Sequence, residues 1–489
     1  MSVLLAFLSG ILLSGAFAPF ALWWLAPSAL LLLLFAFDGN GFKVRALVVI
    51  VFSASFFLPL LHWTSVYVGA LPWLLLVLLQ VGLLFPLALH PTTDPKFFIL
   101  FPSAWVCIEI LRTHFPFGGF GWGRVGFSQA NAPYSSFASI AGVSGLSFLV
   151  ALVSVSLFLV IKKEFTLGLV TLFVVGILFS TTLLRTHVVS EEVVTVLAVQ
   201  GGVPKLGLDF NDRAHAVFSM HEKSTRSYLE SHSQKPSFIV WPENSVDVDP
   251  FKDNFVRDSL NKLADDFQVP IIIGAVLTKG NGYENASIAW LPGSGPSSIY
   301  VKKHLTPFGE YVPLRSLAEF VSPFAKGIID FIPGTDLQTH VIGGAKISPV
   351  ICYELLDDQL NRAMAARGNT LLIQTNSATF GLTPESAQEL EISRIRAIEH
   401  QRFAISIATS GISAAIDDQG RVLKATAINK PEAFLVNLPL QSPRSVSDSL
   451  GNSAEILIVF LPLFLFLVIP FLYRVLLKRF SVVRKRSNQ

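Results

Sequence analysis

Cysteine is scarce in this chain of 489 residues, which contains only Cys107 and Cys352. Two thiols are too few for a disulfide framework or for a metal site built on several thiolates. Cys107 lies inside a strongly apolar segment, where a thiol is an ordinary small hydrophobic group. Cys352 differs because it ends the β-forming run Ile347 to Cys352, with Glu354 two residues later. Its thiol is therefore expected at a strand end, where it is a candidate nucleophile.

Charged residues are also scarce, at 15% of the chain against 52% hydrophobic residues. That composition is too apolar for a soluble enzyme, and it predicts a membrane domain joined to a globular domain. Seven apolar segments lie between residues 3 and 186: Val3 to Phe17, Trp23 to Phe37, Ala46 to Trp63, Val68 to Leu89, Phe97 to Leu111, Phe137 to Ile161 and Phe165 to Leu184. An eighth, Ile456 to Tyr473, precedes a basic tail. The small residues around Ala16 and Ala18 are also compatible with a cleaved signal peptide, but no basic stretch precedes them and a second apolar segment follows, so we expect the first segment to be retained.

The basic residues predict how these segments are oriented, because cytoplasmic loops are enriched in lysine and arginine. If every segment crosses the membrane, the following residues share one side with the basic tail: Lys43, Arg45, Lys96, Lys162 and Lys163. Both termini are therefore expected in the cytoplasm and the globular domain outside. The predicted units are a seven-helix membrane domain (1–186), an extracytoplasmic catalytic domain (190–445), an eighth helix (454–474) and a cytoplasmic tail (475–489). Arg112 and Arg124 fall in an outer loop, where they either bind lipid headgroups or are ordinary solvated charges.

Between residues 190 and 445, short β-rich runs alternate with helical patterns, which indicates an α/β domain. The eight strand candidates are Val193 to Val199, Phe238 to Trp241, Ile271 to Val276, Ser287 to Leu291, Ser298 to Val301, Ile347 to Cys352, Thr370 to Gln374 and Ala404 to Ala408. One strand candidate, Phe238 to Trp241, stops at Pro242 and is followed by Glu243, a carboxylate able to accept a thiol proton. A further stretch holds Lys302 and Lys303. If that stretch is extended, the two lysines point in opposite directions, so that one ammonium faces a cleft and can stabilise a thiolate or an oxyanion.

Three motifs occur in order: Trp-Pro-Glu at 241–243, Lys-x-His-Leu-x-Pro-Phe-Gly-Glu at 302–310 and Ile-Cys-Tyr-Glu at 351–354. Together with the eight apolar spans, they resemble the apolipoprotein N-acyltransferases, bacterial membrane enzymes whose outer domain belongs to the nitrilase superfamily. The resemblance covers essentially the whole chain. It implies a polytopic α-helical membrane domain plus an α/β nitrilase-like domain, built as a four-layer α-β-β-α sandwich.

The resemblance also implies residue roles. Glu243 would be the general base, Lys302 the partner of the oxyanion and thiolate, and Cys352 the nucleophile. Supporting roles would fall to Glu310, Tyr353 and Glu354. Substrate contacts would fall to Trp241, Pro307, Phe308, Gly309, Asn376, Phe380, Arg112 and Arg124. Where many relatives have a tryptophan before the Phe-Gly of the loop after the nucleophile, this chain has Thr379, which is expected to alter lipid contacts or loop closure.

The implied reaction moves an acyl chain from a phospholipid to Cys352, and then from that thioester to the N-terminal amine of a diacylglyceryl-cysteine lipoprotein. This reaction needs no metal, cofactor or nucleic acid. The protein is expected to be a monomer in the bacterial cytoplasmic membrane. Thioesters are better acyl donors to amines than esters are, and a lipid-facing site excludes the competing water. The alternatives are a membrane-anchored nitrilase-type amidohydrolase and a non-catalytic scaffold or transporter. A transporter is disfavoured because the spans are nearly free of ionisable groups.

Overall fold

The computed structural model describes residues 1–66, 69–92, 94–183, 190–207, 214–321 and 323–464. All seven predicted N-terminal segments coincide with helices: α1 (Ser2–Ala16), α2 (Leu25–Phe37), α3 (Phe42–Leu60), α4 (Ala70–Leu84), α5 (Phe101–His114), α6 (Ala138–Ile161) and α7 (Phe165–Leu183). The start of the fourth segment, the end of the seventh, the second half of the eighth and the whole basic tail lie outside the described residues.

Five helical stretches of the described chain are long and apolar enough to cross a membrane: Phe42–Leu60, Ala70–Leu89, Pro95–His114, Ser135–Ile161 and Phe165–Leu183. Shorter apolar helices cover Ser2–Gly15, Leu25–Phe37 and Asn452–Pro462. Helices α1 and α2 pack closely together, and the hydroxyl of Ser9 donates to the carbonyl of Ala29 at 2.6 Å. Small residues at such contacts let the helix backbones approach each other.

The strands form two six-stranded sheets. The first sheet contains β1 (Val193–Gln200), β2 (Phe238–Val240), β3 (Ile271–Lys279), β4 (Gly282–Leu291), β5 (Gly295–Val301) and β12 (Glu432–Pro439). The second contains β6 (His340–Ile342), β7 (Ala345–Ile351), β8 (Thr370–Thr375), β9 (Ala404–Ala408), β10 (Ala414–Ile416) and β11 (Val422–Ala425). The strand order is β12-β1-β2-β3-β4-β5 in the first sheet and β11-β10-β9-β8-β7-β6 in the second. The inner strands β1, β2 and β3 run parallel, as do β7, β8 and β9.

The sheets face each other across an apolar layer that includes Val196 and Ile272 from the first sheet and Ile347 and Ile405 from the second. Helices α8 (Ala216–Ser231) and α9 (Asn254–Phe267) cover the first sheet, and α11 (Asp358–Ala365) and α12 (Glu385–His400) cover the second. Shorter helices are α10 (Arg315–Val321) and α13 (Val446–Leu450), and α14 (Asn452–Leu463) begins the last apolar segment. The expected four-layer α-β-β-α sandwich is thus confirmed.

The strand predictions were incomplete. All eight predicted strands are present, but β6, β10, β11 and β12 were missed because three of them are only three or four residues long. The end of β7 also differs: the strand stops at Ile351, so Cys352 lies in the turn after it. β5 ends at Val301 as predicted, but the extended stretch expected to hold Lys302 and Lys303 does not continue the strand.

The first turn of α12 connects the sandwich to the membrane domain through Gln388. The indole of Trp122 donates to its side-chain oxygen at 2.7 Å. The amide nitrogen of Gln388 donates in turn to the carbonyls of Ala18 and Leu60, at 3.2 and 3.3 Å. The helix layer over the second sheet, whose strand β7 leads into Cys352, is therefore in direct contact with the membrane domain.

Candidate active site

The turn that carries Cys352 is an unusual one. Cys352 begins a short 3-10 segment, Cys352–Leu356, with φ at +50°, in the left-handed region that non-glycine residues rarely adopt. Such a conformation costs on the order of 1–3 kcal/mol and persists only where the surroundings enforce it. The turn leaves the side chain partly exposed at the end of β7. A thiol presented in this way is accessible to a substrate while its backbone is fixed.

Glu354 helps to hold Cys352 in this conformation. Its carboxylate is fully buried and accepts the backbone N–H of Ile351 at 2.8 Å. Its other oxygen accepts the hydroxyl of Tyr300 at 2.7 Å and the backbone N–H groups of Lys303 and His304 at 2.7 and 3.2 Å. Glu354 thereby connects the nucleophile turn to the segment that carries Lys302.

Glu243 lies just after β2, and β3 passes very close to it. A Cβ added at Gly274 would lie 2.3 Å from the carbonyl oxygen of Pro242 and 2.7 Å from the Cα of Glu243, so only glycine fits there. The Glu243 carboxyl is buried and accepts from the side-chain amide of Asn285 at 2.7 Å. The same oxygen lies 3.4 Å from the ammonium of Lys302.

The two adjacent lysines have different environments. Lys302 is 1% exposed, and its Nζ lies 2.8 Å from Oε2 of Glu310. Lys303 is exposed, and its Nζ donates to the carbonyl of Thr335 at 3.1 Å. We expected the alternation of side chains along a strand to separate the two lysines. This reason was wrong, because β5 ends at Val301, before either lysine. The backbone contacts that follow the strand turn Lys302 inward: its N–H donates to Asn285 and its carbonyl accepts from Gly334.

Asn285 and Glu310 complete the buried cluster. One amide nitrogen of Asn285 donates to both Glu243 and Glu310, each at 2.7 Å. Glu310 also accepts the backbone N–H of Thr306 at 2.7 Å. Asn285 was missed in the sequence, because it shares its strand with Glu284 and Ser287 and no local signal distinguishes it. The cluster thus contains two carboxyls, one ammonium and one amide that bridges the carboxyls.

Burial sets the protonation states around Cys352. It raises the pKa of the Cys352 thiol well above its usual value; Glu243 adds to this effect and Lys302 opposes it. Burial also raises the pKa of Glu243, against the attraction of Lys302. For Lys302, burial alone would lower the pKa, but Glu310 and Glu243 outweigh it and raise the pKa. The lysine therefore remains cationic beside a neutral thiol, and a carboxyl of raised pKa is available to accept the thiol proton.

The remaining predicted residues lie in separate parts of the structure. Tyr353 contacts the membrane domain, because its hydroxyl donates to the carbonyl of Gly119 at 2.6 Å. Phe308 is 54% exposed in the loop that includes Pro307 and Gly309, and its ring meets that of Phe117 edge-on at 6.4 Å.

Trp241 points away from the site: its ring is fully buried and its indole donates to Thr225. Asn376 caps the turn after β8 by accepting the N–H of Ala378. Phe380 is half-buried, and its ring packs edge-on against Trp63 at 4.8 Å. Thr379 lies in the same turn, Ser377–Thr379.

Arg112 and Arg124 are buried instead of lying at a lipid or water surface. Arg112 donates to the side chain of Gln80 and to the carbonyl of Trp122. Arg124 forms an ion pair with Asp358 at 2.7 Å. Both guanidinium groups hold parts of the protein together, which corrects the expectation of a headgroup contact or a solvated charge.

Two more carboxyls that the sequence reading missed are buried on α12, those of Glu385 and Glu389. Glu389 acts electrostatically on Cys352 and Glu243. Like charges four residues apart destabilise a helix, and this spacing was the available sequence signal. No group of three or more potential metal ligands was found among the described residues.

Comparisons with known proteins identify the family of this chain. Residues 9–156 match the model of the apolipoprotein N-acyltransferase N-terminal domain, and residues 219–446 match that of the carbon-nitrogen hydrolases. A protein of Mycolicibacterium smegmatis named apolipoprotein N-acyltransferase is 31% identical, over 88% of this chain and 78% of its own length. The chain belongs to the apolipoprotein N-acyltransferase family. It is accordingly an acyltransferase associated with a membrane.

Other relatives are more distant. A Shewanella oneidensis protein of the same name is 26% identical over 93% of both chains. Among solved structures, a nitrilase-superfamily amidase of Nesterenkonia AN1 matches 52% of this chain and 92% of its own, with 16% identity and a TM-score of 0.39.

Proposed function

We propose that this acyltransferase moves an acyl chain from a membrane phospholipid to the N-terminal amine of the diacylglyceryl-cysteine of apolipoproteins, through a thioester on Cys352. The observation that carries the proposal is the buried cluster of Glu243, Lys302 and Glu310 beside a cysteine held in a left-handed turn. Family membership supplies the reaction class, and this cluster supplies groups suited to each step.

In the first half-reaction, Glu243 accepts the thiol proton and the sulfur of Cys352 attacks the ester carbonyl. Lys302 is the cation closest to the developing oxyanion, and Glu310 fixes its position. The tetrahedral intermediate collapses to the thioester, and Glu243 returns the proton to the departing lysophospholipid. In the second half-reaction, the acceptor amine attacks the thioester, Glu243 removes a proton from the nitrogen, and the thiolate leaves and is reprotonated.

Contacts between the two domains support a lipid donor. The exposed rings of Phe117 and Phe308 meet where a loop of the membrane domain contacts the sandwich. The hydroxyl of Tyr311 donates to the carbonyl of Phe117 at 3.1 Å, which joins the same two segments. An apolar rim at this place suits the approach of an acyl chain from the bilayer.

The proposal includes the predicted organisation of the chain: seven membrane helices in 1–186, an extracytoplasmic catalytic domain in 190–445, an eighth helix in 454–474, and a cytoplasmic tail in 475–489. Both termini would be cytoplasmic, and the enzyme would act as a monomer. The distribution of lysine and arginine supports this orientation.

Covalent loading tests the proposal. Purified protein incubated with phospholipid and no acceptor should gain the mass of one acyl group, and neutral hydroxylamine should remove it. Cys352→Ala should never gain this mass. Cys107→Ala is the matched control and should load like the parent, because Cys107 lies exposed on α5. Loading of Cys352→Ala at the parental level would exclude the mechanism, and turnover of soluble amides without loading would favour an amidohydrolase.

A further inference from the structure

Glu385 and Glu389 differ from the other carboxyls buried around the site in having no cationic partner. Glu243 and Glu310 face Lys302, and Asp358 lies between two arginines. In the described part of the chain, by contrast, neither Glu385 nor Glu389 lies within ion-pair distance of a lysine, arginine or histidine. Their exposures are only 3% and 5%. Burying a charge without a partner is costly, so two such carboxyls side by side require a reason.

One oxygen of Glu385 has no hydrogen-bond partner at all. Its Oε2 is buried and unsatisfied, although buried carboxylate oxygens are nearly always hydrogen-bonded. Thr375, at the end of β8, partly offsets the burial of Glu389, whereas the hydroxyl oxygen of Ser377, in the turn that follows β8, is itself buried without a hydrogen-bond partner. The pair therefore has a carboxyl oxygen free to accept from a further donor.

The position of the pair shows where such a donor would lie. Thr375 ends β8, which runs parallel to β7, the strand that leads into Cys352. Burial raises the pKa of Glu389 to about 8, and Glu243 adds to the effect while Thr375 and Lys302 oppose it. Burial and the neighbouring Glu389 raise the pKa of Glu385 well above its usual value. A cation that approached Cys352 beside α12 would relieve this electrostatic penalty.

We propose that Glu389, assisted by Glu385, forms the subsite for the α-ammonium group of the acceptor and takes one proton from it. This inference rests on the proposed function, because it assigns residues to its second half-reaction. An α-amino group has a pKa of about 7.7–8.0, so much of the acceptor arrives protonated and cannot attack a thioester. A carboxyl that titrates in the same range is well matched to receive that proton.

The protons and bonds balance as follows. The carboxylate of Glu389 takes one proton from the ammonium, which leaves a neutral amine. The nitrogen attacks the thioester carbonyl, the C–N bond forms and the C–S bond breaks. Glu243 takes the second proton from the nitrogen and passes it to the thiolate of Cys352, and Glu389 releases its proton to water. The product amide retains one hydrogen on nitrogen.

The test separates loading from discharge in Glu389→Gln. Loading from phospholipid should change far less than transfer, because in loading Glu389 influences Cys352 and Glu243 by its charge alone. Transfer to a diacylglyceryl-cysteine peptide should be slower by about 10²-fold near pH 7, the lower end of what a positioned proton acceptor contributes. The deficit should shrink above about pH 8, where the free α-amine is already neutral. Hydroxylamine, which is uncharged at neutral pH, should discharge the loaded variant at the parental rate.

Glu391→Gln is the matched control, because Glu391 lies on the same helix but forms an ion pair with Arg394 at 2.7 Å. It should leave both half-reactions unchanged. Glu385→Gln, a second variant, should raise the KM for the acceptor without altering loading. Parental transfer by Glu389→Gln, or equal losses of loading and transfer, would overturn the inference. If the parent itself never loads, the proposed function fails instead.

Discussion

Replacing Lys302 by methionine is the most direct test of how the buried cluster works. The substitution keeps the hydrocarbon stem but removes an ammonium that lies 2.8 Å from Glu310 and 3.4 Å from Glu243. Removing one partner of a buried ion pair costs about 3–5 kcal/mol. Here that figure is an upper value, because the carboxyls left behind can take up protons and Asn285 still donates to both.

The expected loss of activity exceeds the loss of stability. Without Lys302, the pKa of Glu243 should rise further, because the attraction that opposes its burial is gone. Its carboxyl would then be protonated and could not accept the thiol proton. The oxyanion would also lose its nearest cation, and one such donor is worth about 10²–10³ in rate. Acyl loading should therefore fall by at least about 10²-fold.

Two measurements check this expectation: the rate of acyl loading, by intact mass, and thermal unfolding in detergent. Lys303→Met is the control. It removes an equal charge one residue away, but the Lys303 side chain is exposed and its ammonium donates to the carbonyl of Thr335, so loading and stability should change little. Equal losses in the two variants, or parental loading by Lys302→Met, would refute the reasoning about the cluster.

Two further predictions concern the membrane orientation and the junction between the domains. A reporter that is active only outside the cytoplasm should be active when fused after residue 440 and silent when fused after Lys163, and the opposite pattern would reverse the proposed orientation. At the junction, burial alone would raise the pKa of Asp358, but Arg124 and Arg396 outweigh it and lower the pKa. This carboxylate therefore contributes stability that is present above its unfolded pKa of about 3.9 and lost as the pH falls below it. Thermal unfolding should show a steeper decline below about pH 4 in the parent than in Asp358→Asn, and identical slopes would contradict the assigned pairing.

The sequence alone determined the architecture and the main site candidates, because both are written in short stretches. Apolar segments predicted all seven N-terminal helices, and alternating β-rich and helical runs predicted the α/β domain. Glu243 and Cys352 were identified because each follows a buried strand directly, and the motif around Lys302 selected it from the lysine pair. Local pattern suffices for these residues because each candidate lies just past the end of an apolar strand, although the two strands belong to different sheets.

Only the tertiary structure decided which groups meet. Asn285 joins Glu243 to Glu310 because β4 returns next to β3, a pairing that no local pattern predicts. Arg124, which in sequence belongs to a loop of basic and aromatic residues, is buried because Asp358 reaches it from the other domain.

Glu385 and Glu389 come close to the cluster for the same reason. Their helix is held between the second sheet and the membrane domain, which brings Glu389 within electrostatic range of Cys352 and Glu385 within that of Glu243. Charge, burial and hydrogen bonding at such positions depend on partners that are distant in the chain, and those partners become neighbours only when the chain folds.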